Sequence, residues 1–173
     1  MAELTAEELI RFYGLERHPE GGYFRESYRA AGLVAAAEPP ECLAGARNFS
    51  TAIYFLLPRG ARSRLHRIKS DELWHFYLGG PLVIAQLFPG GKIERAVLGR
   101  DIQAGQVLQH AVPAGCWFGA YPRAGTDFSF AGCTVAPGFE FSDFELADGA
   151  ALLRQFPHAA GLIEELSDRN EPR

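Results

Sequence analysis

Residues 50–87 read STAIYFLLPRGARSRLHRIKSDELWHFYLGGPLVIAQL. Four short runs rich in β-branched and aromatic residues stand in it: Ser50–Leu57, Arg62–Ile68, Glu72–Leu78 and Leu82–Leu87. Pro58-Arg59-Gly60 and Gly79-Gly80-Pro81 punctuate them. Short apolar runs bounded by Gly and Pro are strand signals. The rhythm continues outward through Ile93–Leu98, Val107–Val112, Trp117–Tyr121 and Phe128–Thr134, with turn residues at Pro89-Gly90-Gly91, Gly105, Pro113-Ala114-Gly115 and Pro122. No helical segment of crossover length separates these runs. The pattern therefore predicts an all-β, antiparallel sandwich or barrel over about residues 22–145 rather than βαβ units.

The flanks are different. Thr5-Ala6-Glu7-Glu8 is a capping box, because Glu8 stands three residues after Thr5. Leu9, Ile10 and Tyr13 follow at helical spacing and Gly14 is a stop signal, which predicts a helix over 6–13. His18-Pro19-Glu20-Gly21-Gly22 reads as a turn, and Tyr23–Arg29 as a strand whose aromatic rings suit a core or a subunit interface. Residues 30–48, rich in Ala, Pro and Glu, read as a mobile loop. Beyond the barrel, 149–156 and 158–166 carry helical periodicity split by Pro157, a helical hairpin expected on the outside. Phe139, Phe141 and Phe144 read as an apolar clasp, and the polar tail from Ser167 is expected to fray.

The chain has 173 residues, 17 Lys+Arg against 21 Asp+Glu, a net charge of −4 and 47% hydrophobic residues. That is one globular domain's length and composition, and the acidic balance argues against a nucleic-acid partner. No run approaches the ~18 apolar residues of a membrane span. The acidic, amphipathic start MAELTAEELIRFYGL lacks a signal peptide's order, so a cytoplasmic location is expected. Cys42, Cys116 and Cys133 are odd in number, without CxxC spacing, and read as buried free thiols.

The polar residues concentrate between Gly60 and Gly79. Strand parity puts Arg62, Arg64, His66 and Ile68 on one face, and Glu72, Trp74 and Phe76 on one face of the next run, with His75 opposite. A hairpin pairing these runs would bring an imidazole, a carboxylate and one or two guanidiniums together inside the barrel. Buried charges of this kind must be paired. A structural histidine bonded to Glu72 is the plain alternative.

Gly60, His66, Glu72 and Gly79 resemble the first motif of the cupin superfamily, G-x5-H-x-H-x3-4-E-x6-G. A degraded second motif resembles Gly105, Pro113-Ala114-Gly115 and Phe118, the last standing where that motif ends in His. HPEGGYFRESYR, SRLHRIKSDELWHFYLGG, HAVPAGCW and VAPGFEFSDFELA are together similar to one cupin-5 type, RmlC-like branch described as a domain of unknown function. The resemblance implies a double-stranded β-helix (jelly roll) and a homodimer.

It also implies a test for metal. Metal-binding cupins use three His and one Glu; this sequence keeps His66 and Glu72, with Ile68 and Phe118 at the other two positions. Two donors are too few for a tight site, so no metal cofactor is expected; a divalent ion, if bound, would use His66 and Glu72, with His110 or His75 to complete the set. Metal-free epimerases of the superfamily place a His as general base on the inner sheet. By that resemblance His66 and Glu72 become the catalytic candidates. Arg62, Arg64, Trp74, Phe76, His110 and Phe118 become the lining of a site for a small anionic, sugar-like or carboxylated metabolite. A non-catalytic metabolite-binding or sensing cupin and a metal-dependent enzyme such as a dioxygenase are the competing readings.

Overall fold

The computed structural model describes residues 4–34, 43 and 45–167; residues 35–42 and 44 of the expected loop between 30 and 48, Cys42 among them, lie outside the described residues, as does the tail beyond Ser167. Helix α1 spans Ala6–Tyr13, with both hydrogen bonds of the Thr5/Glu8 capping box formed and Gly14 in the left-handed conformation at its end. Strands β1 (Glu16–Arg17) and β2 (Tyr23–Arg29) flank the His18–Gly22 turn. The short pair β3 (Leu33–Val34) and β4 (Arg47–Asn48) closes the base of the following loop. Then come β5 (Thr51–Pro58), β6 (Ser63–Arg67), β7 (Asp71–Gly79), β8 (Leu82–Leu87), β9 (Ile93–Leu98), β10 (Gln109–Val112), β11 (Trp117–Pro122), β12 (Phe128–Ala136) and β13 (Glu145–Leu146). Helices α2 (Gly149–Gln155) and α3 (Ala160–Leu166) end the described chain, joined through a 3-10 turn that Pro157 opens.

Two antiparallel sheets face one another, in the orders β1-β2-β5-β12-β7-β10 and β13-β6-β11-β8-β9. From β5 to β8 successive strands alternate between the sheets, which winds the chain into the double-stranded β-helix. The two polar runs do not pair with each other as a hairpin. β6 pairs with β11 and β13 while β7 pairs with β12 and β10, so His66 and Glu72 approach each other across the interior. The inner faces supply Phe55, Leu57, Trp74, Ile84, Val112, Phe118 and Cys133 to a packed core. Leu9 and Leu15 cover Leu56, Phe128 and Phe130 on the back of the first sheet. Leu152, Phe156, Leu162, Ile163 and Leu166 cover Leu65, Leu87 and Trp117 on the back of the second. Among the described residues no helix is long and apolar enough to cross a membrane.

A second departure from the sequence reading lies in β6. Against β11, Phe118 stands opposite His66 but Ala120 stands opposite Ser63. Three steps on one strand match two on the other, a β-bulge. The extra residue breaks the parity that would have carried Arg64 inward beside His66. Instead Ser63 and His66 face the interior, and Leu65 packs under the C-terminal helices.

Candidate functional site

One end of the core opens into a cavity of about 90 Å³ lined by His18, Glu20, His66, Ile68, Glu72 and Cys133 at its floor. Phe24, Ile53, Phe55, Phe139, Phe141 and Phe144 form its apolar walls, and Arg29, Glu26 and Glu140 stand at its mouth. By volume it has room for a handful of water-sized groups.

The His18–Gly22 turn, which reads as a simple turn in the sequence, supplies two of the floor groups. Its glycines permit this. Gly21 has φ +116°, and a Cβ there would lie 2.2 Å from the carbonyl oxygen of Arg62; only glycine lets the turn lie this close to the start of β6. Glu20 is thereby carried inward. Its Oε1 accepts from the Ser63 hydroxyl at 2.7 Å, and its Oε2 lies 3.1 Å from His66 Nε2 and 3.4 Å from His18 Nδ1.

The hydrogen bonds fix the imidazole of His66. Nδ1 lies 2.7 Å from the carbonyl oxygen of Arg64. A carbonyl oxygen only accepts, so Nδ1 carries a proton. Nε2 and Glu20 Oε2 then share one further proton. Burial pushes the Glu20 carboxyl up and the His66 imidazole down, so the neutral arrangement, with Glu20 protonated and donating to Nε2, is favoured. Across the cavity, burial raises the Glu72 carboxyl from 4.5 to about 7, against the lowering effect of His66 and of a hydrogen bond with Cys133. His18 is lowered, again chiefly by burial, and sits among the rings of Phe24, Phe55, Phe141 and Phe144. The clasp aromatics of the sequence reading are thus walls of the cavity.

The other sequence candidates distribute differently. Arg62 and Arg64 lie outside the cavity because of the β6 bulge. Arg62 donates to the carbonyl of Glu165 and Arg64 to those of Pro19 and Glu20. Trp74 is buried in the packed core below, between Phe55 and Phe118, and its Nε1–H finds no acceptor among the described residues. Phe76 packs against that same core. His110 is bonded to Gln86 Oε1, away from the cavity. Phe118 is fully buried with its ring 4.1 Å from that of His66, so it backs the imidazole. His75 points outward, bonded to Thr134 and Gln109. Sequence reasoning missed Glu20, His18, Arg29 and Cys133 as lining. The paired glycines after Glu20 were the available signal, since they mark a backbone pressed against a neighbour.

The Ile68 and Phe118 positions are apolar, both ring nitrogens of His66 are engaged, and no group of three or more His, Cys, Asp or Glu among the described residues is arranged to hold a metal ion.

The family model described as "Cupin superfamily (DUF985)" matches residues 7–147. This chain belongs to that cupin family. Its relatives include an uncharacterized protein of Saccharomyces cerevisiae, YML079W, 28% identical over 154 residues that cover 84% of this chain and 76% of the yeast protein. Among solved structures, protein SO0799 of Shewanella oneidensis is 39% identical with a TM-score of 0.85, covering 97% of this cupin and 100% of that chain. A hypothetical protein from Leishmania major is 32% identical with a TM-score of 0.86, covering 95% and 99%. Oxalate decarboxylase of Bacillus subtilis, at 16% identity and a TM-score of 0.54 over 90% of this cupin and 38% of that chain, shares the fold alone.

Proposed function

We propose that this cupin binds a small, uncharged hydroxy-carbonyl metabolite and moves a proton on it, as an epimerase or isomerase does. The observation that carries the reading is the Glu20–His66 pair, 3.1 Å apart with one shared proton, in the same cavity as a carboxyl that titrates near 7. Two titratable groups pushed toward neutrality suit general acid–base work. Glu72 in its carboxylate form takes a proton from the carbon next to the carbonyl. The proton held between Glu20 and His66 leaves that hydrogen bond for the developing oxyanion, giving a neutral enediol, and returns to the pair when the Glu72 carboxyl gives a proton back to carbon. His66 therefore acts with Glu20 rather than as a lone base.

The charge balance argues for an uncharged ligand. The arginine pair expected to hold an anion lies outside, and the cavity's own guanidinium, Arg29, is engaged by Glu26 and Glu140. The volume argues for few heavy atoms. The test is proton exchange: a panel of small hydroxy ketones and hydroxy aldehydes is incubated with the protein in D2O and followed by NMR. Wild type is expected to exchange a Cα–H faster than buffer, and Glu72→Gln and His66→Gln to lose that rate at least a hundredfold. Exchange that both variants retain, or none by wild type across the panel, refutes the reading.

A further inference from the structure

One polar group on the cavity floor takes no part in the proton transfer: His18, whose side chain is 7% exposed. Its Nδ1 accepts from the backbone N–H of Glu20 at 3.3 Å. A ring nitrogen that accepts carries no proton, and burial holds the imidazole in its neutral form. The ring's single proton is therefore on Nε2. Among the described residues that Nε2–H has no acceptor. Phe24, Phe55 and Phe144 stand edge-on to the ring and Phe141 stacks on it; all four are walls of the same cavity. With Nδ1 turned to the Glu20 backbone and apolar rings around the rest, Nε2–H is left facing the cavity. A buried donor is unfavourable until an acceptor reaches it.

We propose that His18 selects the ligand, its Nε2–H donating to the hydroxyl oxygen on the carbon next to the carbonyl. The assignment rests on the acid–base reading of the cavity, which lays the carbonyl oxygen against the Glu20–His66 pair. Glu20 Oε2 lies 3.4 Å from His18 Nδ1 and 3.1 Å from His66 Nε2. The two donors, His18 Nε2–H and the shared proton, are thus within an imidazole's width of one another. That spacing suits oxygens on neighbouring carbons, which makes the substrate class a 2-hydroxy ketone or 2-hydroxy aldehyde. An analogue without the hydroxyl leaves the donor unanswered among aromatic rings.

Hydroxyacetone is the probe, with butan-2-one, in which a methyl replaces the hydroxyl, as its comparison. Both are titrated into the 15N-labelled full chain and followed by NMR at the imidazole nitrogens. The free protein is expected to show His18 protonated on Nε2, hydroxyacetone to move that resonance, and butan-2-one to bind roughly tenfold more weakly. His18→Phe is expected to bring the two ketones to about equal affinity, and His18→Gln, which keeps an N–H at that reach, to retain a preference. A proton on Nδ1 instead, equal affinities in wild type, or a preference that His18→Phe keeps overturns the assignment. 4-Hydroxybutan-2-one bound as tightly as hydroxyacetone overturns the placement on the neighbouring carbon. A preference for hydroxyacetone without Cα–H exchange by wild type in D2O supports the His18 contact and refutes proton transfer; exchange without a preference refutes the His18 contact alone.

Discussion

Glu72 is where residue chemistry and stability meet. Its carboxyl titrates near 7 in the folded protein against 4.5 ordinarily. A group whose folded pKa is raised contributes stability that is full below the unfolded value and lost as pH rises through the folded one. At about 1.4 kcal/mol per unit, the loss is on the order of 3 kcal/mol between pH 4.5 and 8. Glu20 pulls the same way, while His18 and His66, both lowered, gain stability as pH rises toward 6.5. The difference between wild type and Glu72→Gln isolates the one group: urea denaturation from pH 4.5 to 8 is expected to show the variant gaining on wild type as pH rises. A constant difference contradicts the placement of Glu72. Phe118 makes a second prediction at this scale. It is fully buried against His66 and Trp74, so Phe118→Ala is expected to cost ~3–5 kcal/mol, read as a shift in urea midpoint.

Among the elements, the segment between β12 and β13 carries Phe139, Phe141 and Phe144 to the cavity, and a buried ion pair holds it. Arg47 on β4 donates to both oxygens of Asp143 at 2.7 and 2.8 Å. Removing one partner of a buried pair strands the other charge. Arg47→Ala is expected to lose ~3–5 kcal/mol in urea denaturation, and an Arg47→Met/Asp143→Leu double variant to recover most of it. Element by element, strands were the legible part of the sequence. Leu82–Leu87 and Ile93–Leu98 stand where the Gly and Pro turns bracket them, and α1 begins at its capping box. What pairs with what was less legible, because a strand's partner is chosen by the winding of both sheets and leaves no mark at its ends. His66 and Glu72 could be placed on the inner faces from their motif positions. Arg64 could not be placed outside, because a bulge is written in the backbone and parity counting passes over it. Glu20 was hidden in a turn whose glycines speak of closeness without naming the neighbour.

For the whole molecule, the outer face of the first sheet bears a run of rings. Phe12, Tyr13, Tyr54 and Tyr77 stand in sequence with centroids 4.5–6.2 Å apart, ending in the stack of Tyr77 on His75. Phe12 is 79% exposed and Tyr77 45%. Exposed apolar patches of this kind mark association surfaces, and this one lies beside the strand expected to form a homodimer. Sedimentation at micromolar concentration is expected to give twice the chain mass, falling to the single 19.0 kDa chain for Tyr77→Glu. A wild-type monomer rules the dimer out.

The bulge in β6 also sets the acidity of the interior. A guanidinium beside His66 would hold Glu72 and Glu20 ionised and leave them as fixed counter-ions. One inserted residue keeps the arginine on the other side of the wall and leaves the Glu72 carboxyl able to hold a proton near neutral pH, with burial raising Glu20 in the same direction. A single-residue insertion or deletion in this strand therefore acts as a dial on proton affinity, and a relative that lacks the bulge is expected to run its cavity as a charged site.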